Sequence, residues 1–123
     1  MEYISTAAAP AAIGPYSQAV LAGNTLYASG QIPINPATGR VEAATIADQT
    51  EQVCKNVGEI LKAAGLGFEN VVKTTCFLAD IGDFAAFNEV YAKYFVSRPA
   101  RSCVAVKDIP KGVLCEIEII AVK

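Results

Sequence analysis

The chain has 123 residues, 53% of them apolar and 18% charged, with ten basic residues against twelve acidic ones. That length suits one domain, residues 1–123, with more apolar surface than its own interior can take, so a homo-oligomer that hides one face is expected. The net charge of −2 and the scattered arginines Arg40, Arg98 and Arg101 lack the concentrated basic surface that nucleic acid requires.

The opening residues, Met1 to Thr6, carry neither a charged nor an apolar leader pattern, and no run approaches membrane-spanning length. The expectation is a cytoplasmic protein with neither membrane nor nucleic acid as a partner. Residues 16–20 and 25–28 read as strands joined at Ala22-Gly23-Asn24, and Asn35 to Gly39 as a loop. From Thr45 the period changes. Ile46, Thr50, Val53, Val57, Ile60, Leu61 and Ala64 recur at helical spacing, with Thr45 and Asp48 as a start signal and Gly65 as a stop.

Residues 71–79 form a β-branched strand pattern. Asp83 is placed to cap a second helix, whose Phe84, Phe87, Tyr91, Tyr94 and Phe95 make an aromatic stripe suited to core packing. Residues 101–106 and 113–122 read as closing strands around the turn at 108–112. Strands, helix, strand, helix and two strands predict an α+β fold: a single sheet with both helices on one face and the other free to meet partner subunits.

No histidine occurs anywhere. Ser-His and Cys-His nucleophile systems, the usual zinc sites and the commonest general base are therefore absent. Cys54, Cys76, Cys103 and Cys115 are far apart, form no Cys-x-x-Cys pair and read as small core residues. Arg101 carries a permanent charge in an apolar stretch, so it needs an anion matching its fork: either a carboxylate in the segment 114–119 or a ligand. Glu116 and Glu118 share one face of the last strand, as acid/base machinery or as a solvated face. Asn88 marks either the core boundary or a pocket wall. Ser29-Gly30 is either a bulge or a place where backbone comes close to a ligand. Tyr16, after Gly14-Pro15, sits at a loop-to-strand boundary.

Residues 9–19 with Gly14-Pro15-Tyr16, Ser29-Gly30-Gln31-Ile32-Pro33, residues 71–75, Phe87-Asn88-Glu89-Val90-Tyr91, Pro99-Ala100-Arg101-Ser102 and Glu116-Ile117-Glu118 occur together, in that order. This combination resembles the Rid (YjgF) family of reactive-intermediate deaminases. The resemblance implies a chorismate-mutase-like mixed sheet assembled as a homotrimer, with sites in the clefts between subunits. It also implies hydrolysis of 2-imino acids, such as 2-iminopropanoate and 2-iminobutanoate, to 2-oxo acids and ammonia, without metal or organic cofactor. By the same resemblance Arg101 matches the carboxylate-binding arginine and Glu116 the glutamate that handles the attacking water, placing the two side by side. Tyr16, Ser29, Gly30, Asn88 and Cys103 match substrate-binding positions, Cys103 mainly through its backbone.

Two alternatives stay open: a non-catalytic regulatory trimer that binds small carboxylates, and Cys103 as a nucleophile, which has no evident base partner. Arg98 departs from the family pattern, in which an apolar or aromatic residue often precedes Pro-Ala-Arg. It reads either as a solvated loop residue or as a second attraction for anionic substrates.

Overall fold

Alternating burial along the last strand shows how the layers form. Cys115, Ile117, Ile119 and Ala121 are buried, whereas Glu118 is exposed and Glu116 half-buried. One face of this strand is core and the other is not, as period-two side chains require. In the computed structural model, which describes residues 1–123, the elements are β1 (Glu2–Ile4), β2 (Ala19–Ala22), β3 (Thr25–Gln31), α1 (Ile46–Ala63), β4 (Val71–Leu78), α2 (Phe84–Tyr94), β5 (Ala100–Ala105) and β6 (Cys115–Val122). The strands make one sheet in the order β1-β2-β3-β6-β4-β5, antiparallel throughout except for the parallel pair β4 and β5. The α+β architecture is thus one mixed sheet with both helices on one face.

α1 begins where Thr45 Oγ1 accepts the Asp48 N–H at 3.1 Å, and the chain leaves the helix through Gly65 at φ +76°. Its apolar face, with Val53, Val57, Ile60 and Leu61, is buried against the sheet. α2 contributes Phe87 and Tyr91 to the same core, and Phe95, the residue that follows the helix, stacks on Tyr91 at 4.2 Å between ring centroids. Phe84, the first residue of the aromatic stripe, is exposed instead. No helix is long and apolar enough to cross a membrane.

The elements depart from the sequence reading at several points. β1 was not anticipated: it has three residues and buries only Ile4, too little for a periodic signal. Residues 16–18 are loop. Gln18 holds them in place, accepting from the Thr6 N–H at 2.7 Å and donating to Thr6 O at 3.0 Å and Pro10 O at 2.8 Å. β3 runs three residues further than expected, across a register shift between Ala28 and Gln31 against β6. Asp83 makes no capping bond because its backbone is already helical (φ −83°, ψ 0°). Asp80 caps the preceding 3-10 turn instead, its Oδ1 accepting the Gly82 N–H at 2.8 Å.

Candidate active site

Residues 84, 88 and 91 lie four and three apart, so Phe84, Asn88 and Tyr91 share one face of α2. That face meets the edge strand β5 where Arg101 pairs with Thr74 of β4. Thr74 is fully buried toward the helices, so Arg101 points to the helix side as well. The Arg101 guanidinium lies 4.7 Å from the Tyr91 ring centroid and 5.3 Å from that of Phe84. Its Nη1 donates to Asn88 Oδ1 at 2.7 Å. Tyr91 is fixed in turn by a 2.7 Å hydrogen bond between its hydroxyl and that of Thr74.

The internal partner of Arg101 is therefore an amide and two aromatic rings. The only salt bridge in the structure joins Arg40 to Glu42. Arg101 thus keeps an uncompensated charge, and it lines a recess of about 650 Å³ with Asn88, Tyr91, Arg98 and Pro99. Burial pushes the neighbouring Cys103 thiol up while Arg101 pulls it down, and Cys103 pairs with Cys76 across β4 and β5. Burial likewise raises the Cys76 thiol, to about 12.

Glu116 pairs with Phe77 of β4, three residues beyond Thr74 and on the opposite side of the pleat. Within one chain, Arg101 and Glu116 therefore face opposite sides of the sheet. The side-by-side placement expected from sequence does not hold in a single subunit. The reason is register: β5 and β6 flank β4, and residues an odd number apart along it point to opposite faces.

Glu116 lines its own recess of about 390 Å³ with Gly30, Phe77, Val106 and Ile109. Burial, and then the nearby Glu118 carboxylate, hold its carboxyl above the usual range. Gly30 lies directly beneath it: a Cβ there would come within 2.9 Å of the Glu116 carboxyl carbon. Of the sequence alternatives for Ser29-Gly30, the register shift gives the bulge, and the group that Gly30 approaches is Glu116. The Ser29 hydroxyl donates to Ser17 O at 2.6 Å, tying the bulge to the N-terminal loop. Tyr16 is exposed on that loop, its hydroxyl accepting the Ile13 N–H at 3.4 Å. No group of three or more Cys, Asp or Glu side chains is placed to hold a metal ion.

The predicted residues thus fall into two groups on opposite faces of the sheet. Arg101, Asn88 and Cys103 belong to the helix side, and Glu116, Gly30, Ser29 and Tyr16 to the open side of the sheet and the loop beside it. Sequence reasoning missed Phe84 and Tyr91 as the platform under Arg101, although their spacing from Asn88 carried the signal.

These features define an α+β protein with a cationic recess at one sheet edge and a carboxylate recess on the opposite face. Residues 6–123 match the family described as Endoribonuclease L-PSP, and the chain belongs to this family, the one its Pro-Ala-Arg-Ser and Glu-Ile-Glu motifs resemble. A human protein named 2-iminobutanoate/2-iminopropanoate deaminase is 54% identical over 121 residues, covering 98% of this chain and 88% of the human one. Among solved structures, the YjgF gene product of Escherichia coli has a TM-score of 0.95 at 49% identity, covering 100% of this chain and 99% of that one. E. coli TdcF with bound serine has a TM-score of 0.96 at 45% identity, with coverage of 100% and 99%.

Proposed function

We propose that the protein is a 2-iminobutanoate/2-iminopropanoate deaminase working as a homotrimer, with each site built from two subunits. The observation that carries this reading is Arg101, a cation seated on aromatic rings and an amide with no carboxylate to neutralise it. A 2-imino acid offers the missing anion, its carboxylate adjacent to the electrophilic carbon. Asn88 occupies one nitrogen of the guanidinium and fixes its plane, leaving the rest of the fork for substrate.

The proton-handling group has to come from elsewhere, because Glu116 of the same chain faces away. A neighbouring subunit that lays the open face of its sheet against β5 would supply Glu116, Gly30, Ser29 and Tyr16. Exposed Tyr27 and Val104 on that open face, at 52% and 47% of their full accessibility, favour such packing.

In the assembled site a water held by Glu116 attacks the imine carbon, and the C=N π pair moves to nitrogen. Glu116 takes the water's proton and delivers it to that nitrogen. The resulting carbinolamine passes its hydroxyl proton through Glu116 to the amino nitrogen as the C–N bond breaks, so that ammonia leaves and the C=O of the 2-oxo acid forms. A carboxyl with raised proton affinity suits this shuttle better than an ordinary surface glutamate. Holding the imine carbon near the water supplies much of the acceleration as prearranged geometry, so no covalent nucleophile is needed.

The test couples a threonine dehydratase to the purified protein and follows oxo-acid release. Arg101→Ala should lower kcat/KM by about a hundredfold or more, as loss of one partner in a desolvated ion pair does. A fully active variant would overturn the reading. Glu116→Gln should abolish turnover yet retain 2-oxobutanoate binding, whereas a purely regulatory binder would have no turnover to lose.

A further inference from the structure

Arg98 adopts a backbone conformation that its residue type resists. Its φ of +52° lies in the left-handed region, and Pro99 follows directly, which restricts that position further. The turn closes after α2 with the Arg98 N–H donating to Phe95 O at 3.1 Å, a place where glycine would sit without strain. The side chain is exposed, and with Arg40–Glu42 the only salt bridge, it has no carboxylate partner. Yet it lines the same recess of about 650 Å³ as Arg101, and no acidic side chain lines that recess. Glu89 and Lys93 of α2 are exposed and lie outside it.

Two arginines lining one recess bring more positive charge than a monocarboxylate requires. Arg101 alone, held by Asn88 and the rings, suffices for the carboxylate beside the imine. From this geometry we propose that Arg98 is a specificity-determining residue that binds the distal carboxylate of short-chain 2-imino dicarboxylates, favouring them over their monocarboxylate counterparts. The inference rests on the reading that Arg101 holds the carboxylate adjacent to the imine. A charge serving only to attract anions from solution could sit on any nearby surface, whereas Arg98 belongs to the lining of the recess itself.

The experiment compares kcat/KM for 2-iminosuccinate and 2-iminobutanoate, each made in situ by an amino-acid oxidase, in the wild type and in Arg98→Gly and Arg98→Gln. Arg98→Gly should keep or raise Tm, because glycine accepts the left-handed conformation. Both variants should lose about tenfold on 2-iminosuccinate, the scale of one exposed charge-assisted contact, while 2-iminobutanoate changes less than about twofold. An unchanged ratio between substrates would overturn the inference. So would an equal loss on both that disappears in high salt, which would mark Arg98 as steering anions and no more. If the wild type hydrolyses neither imine, the deaminase reading itself fails and this inference falls with it. Activity on 2-iminobutanoate together with 2-iminosuccinate turnover that does not depend on Arg98 removes the inference alone.

Discussion

A guanidinium laid over two rings and tied to one amide keeps its charge, loses part of its hydration and gains a fixed plane. Lysine at position 101 would keep the charge but not the fork or the stacking, so Arg101→Lys should lose more than about tenfold in kcat/KM. Glu116 shows the complementary effect of environment on an acid. Burial comes first, and the Glu118 charge second, in raising its proton affinity. The form that accepts a proton from water is the carboxylate, so activity should fall as pH drops through this raised pKa, earlier than an unperturbed glutamate would allow. Glu118→Gln removes the like charge, lowers the Glu116 pKa, and should move the acid limb of kcat/KM toward lower pH. A limb that stayed put or moved upward would exclude Glu116 as the titrating base. The sign for stability is opposite. A carboxyl with a raised folded-state pKa favours the fold when protonated, and that contribution is lost as pH rises from the unfolded value through the folded one. Glu116→Gln should therefore leave Tm at neutral pH unchanged or higher even as turnover disappears.

At the level of elements, the bulge in β3 and the carboxylate of β6 depend on each other. Gly30 has no side chain where Glu116 lies, so Gly30→Ala would force the carboxylate aside. Overpacking of this kind costs about 1–3 kcal/mol, which a thermal melt would report, and turnover should fall further than the stability loss explains. A Gly30→Ala protein with normal turnover would show that the position of Glu116 is not critical. The sequence made the long elements legible: Thr45 and Gly65 bracket α1, and the alternation in β6 puts Glu116 and Glu118 on one face. β1 escaped because only Ile4 is buried, whereas the bulge is one of the two readings Ser29-Gly30 offers. The partner of Arg101 escaped for a different reason. Helical spacing groups Asn88 with Phe84 and Tyr91, but which strand edge that face meets is decided by packing between distant segments. The same applies to Arg101 and Glu116. Period two relates residues within a strand, whereas their opposite orientation follows from the β4 register that both flanking strands share.

For the whole molecule, the proposed function makes assembly part of the chemistry because of that opposite orientation. On the proposed reading, one subunit would hold the anion clamp on its helix side and the proton shuttle on its open side, with the sheet between them. The proposed ring of identical chains would resolve this, because a head-to-tail interface would present the open face of one sheet to the next subunit's β5 edge and repeat the same junction around the axis. The arrangement makes a prediction that no single-chain site would share. Arg101→Ala and Glu116→Gln proteins should each be inactive alone. When the two are unfolded together, refolded as mixed oligomers and assayed, activity should reappear. With random assortment, each junction takes its arginine from one chain and its glutamate from the next, so about one quarter of junctions combine both native residues. Recovery should approach that fraction of wild-type activity, and sedimentation of the same sample should show trimers. If the mixture stayed inactive while trimers formed, both groups would have to come from the same chain. Since β4 points them to opposite faces, the sheet itself would then have to rearrange for catalysis.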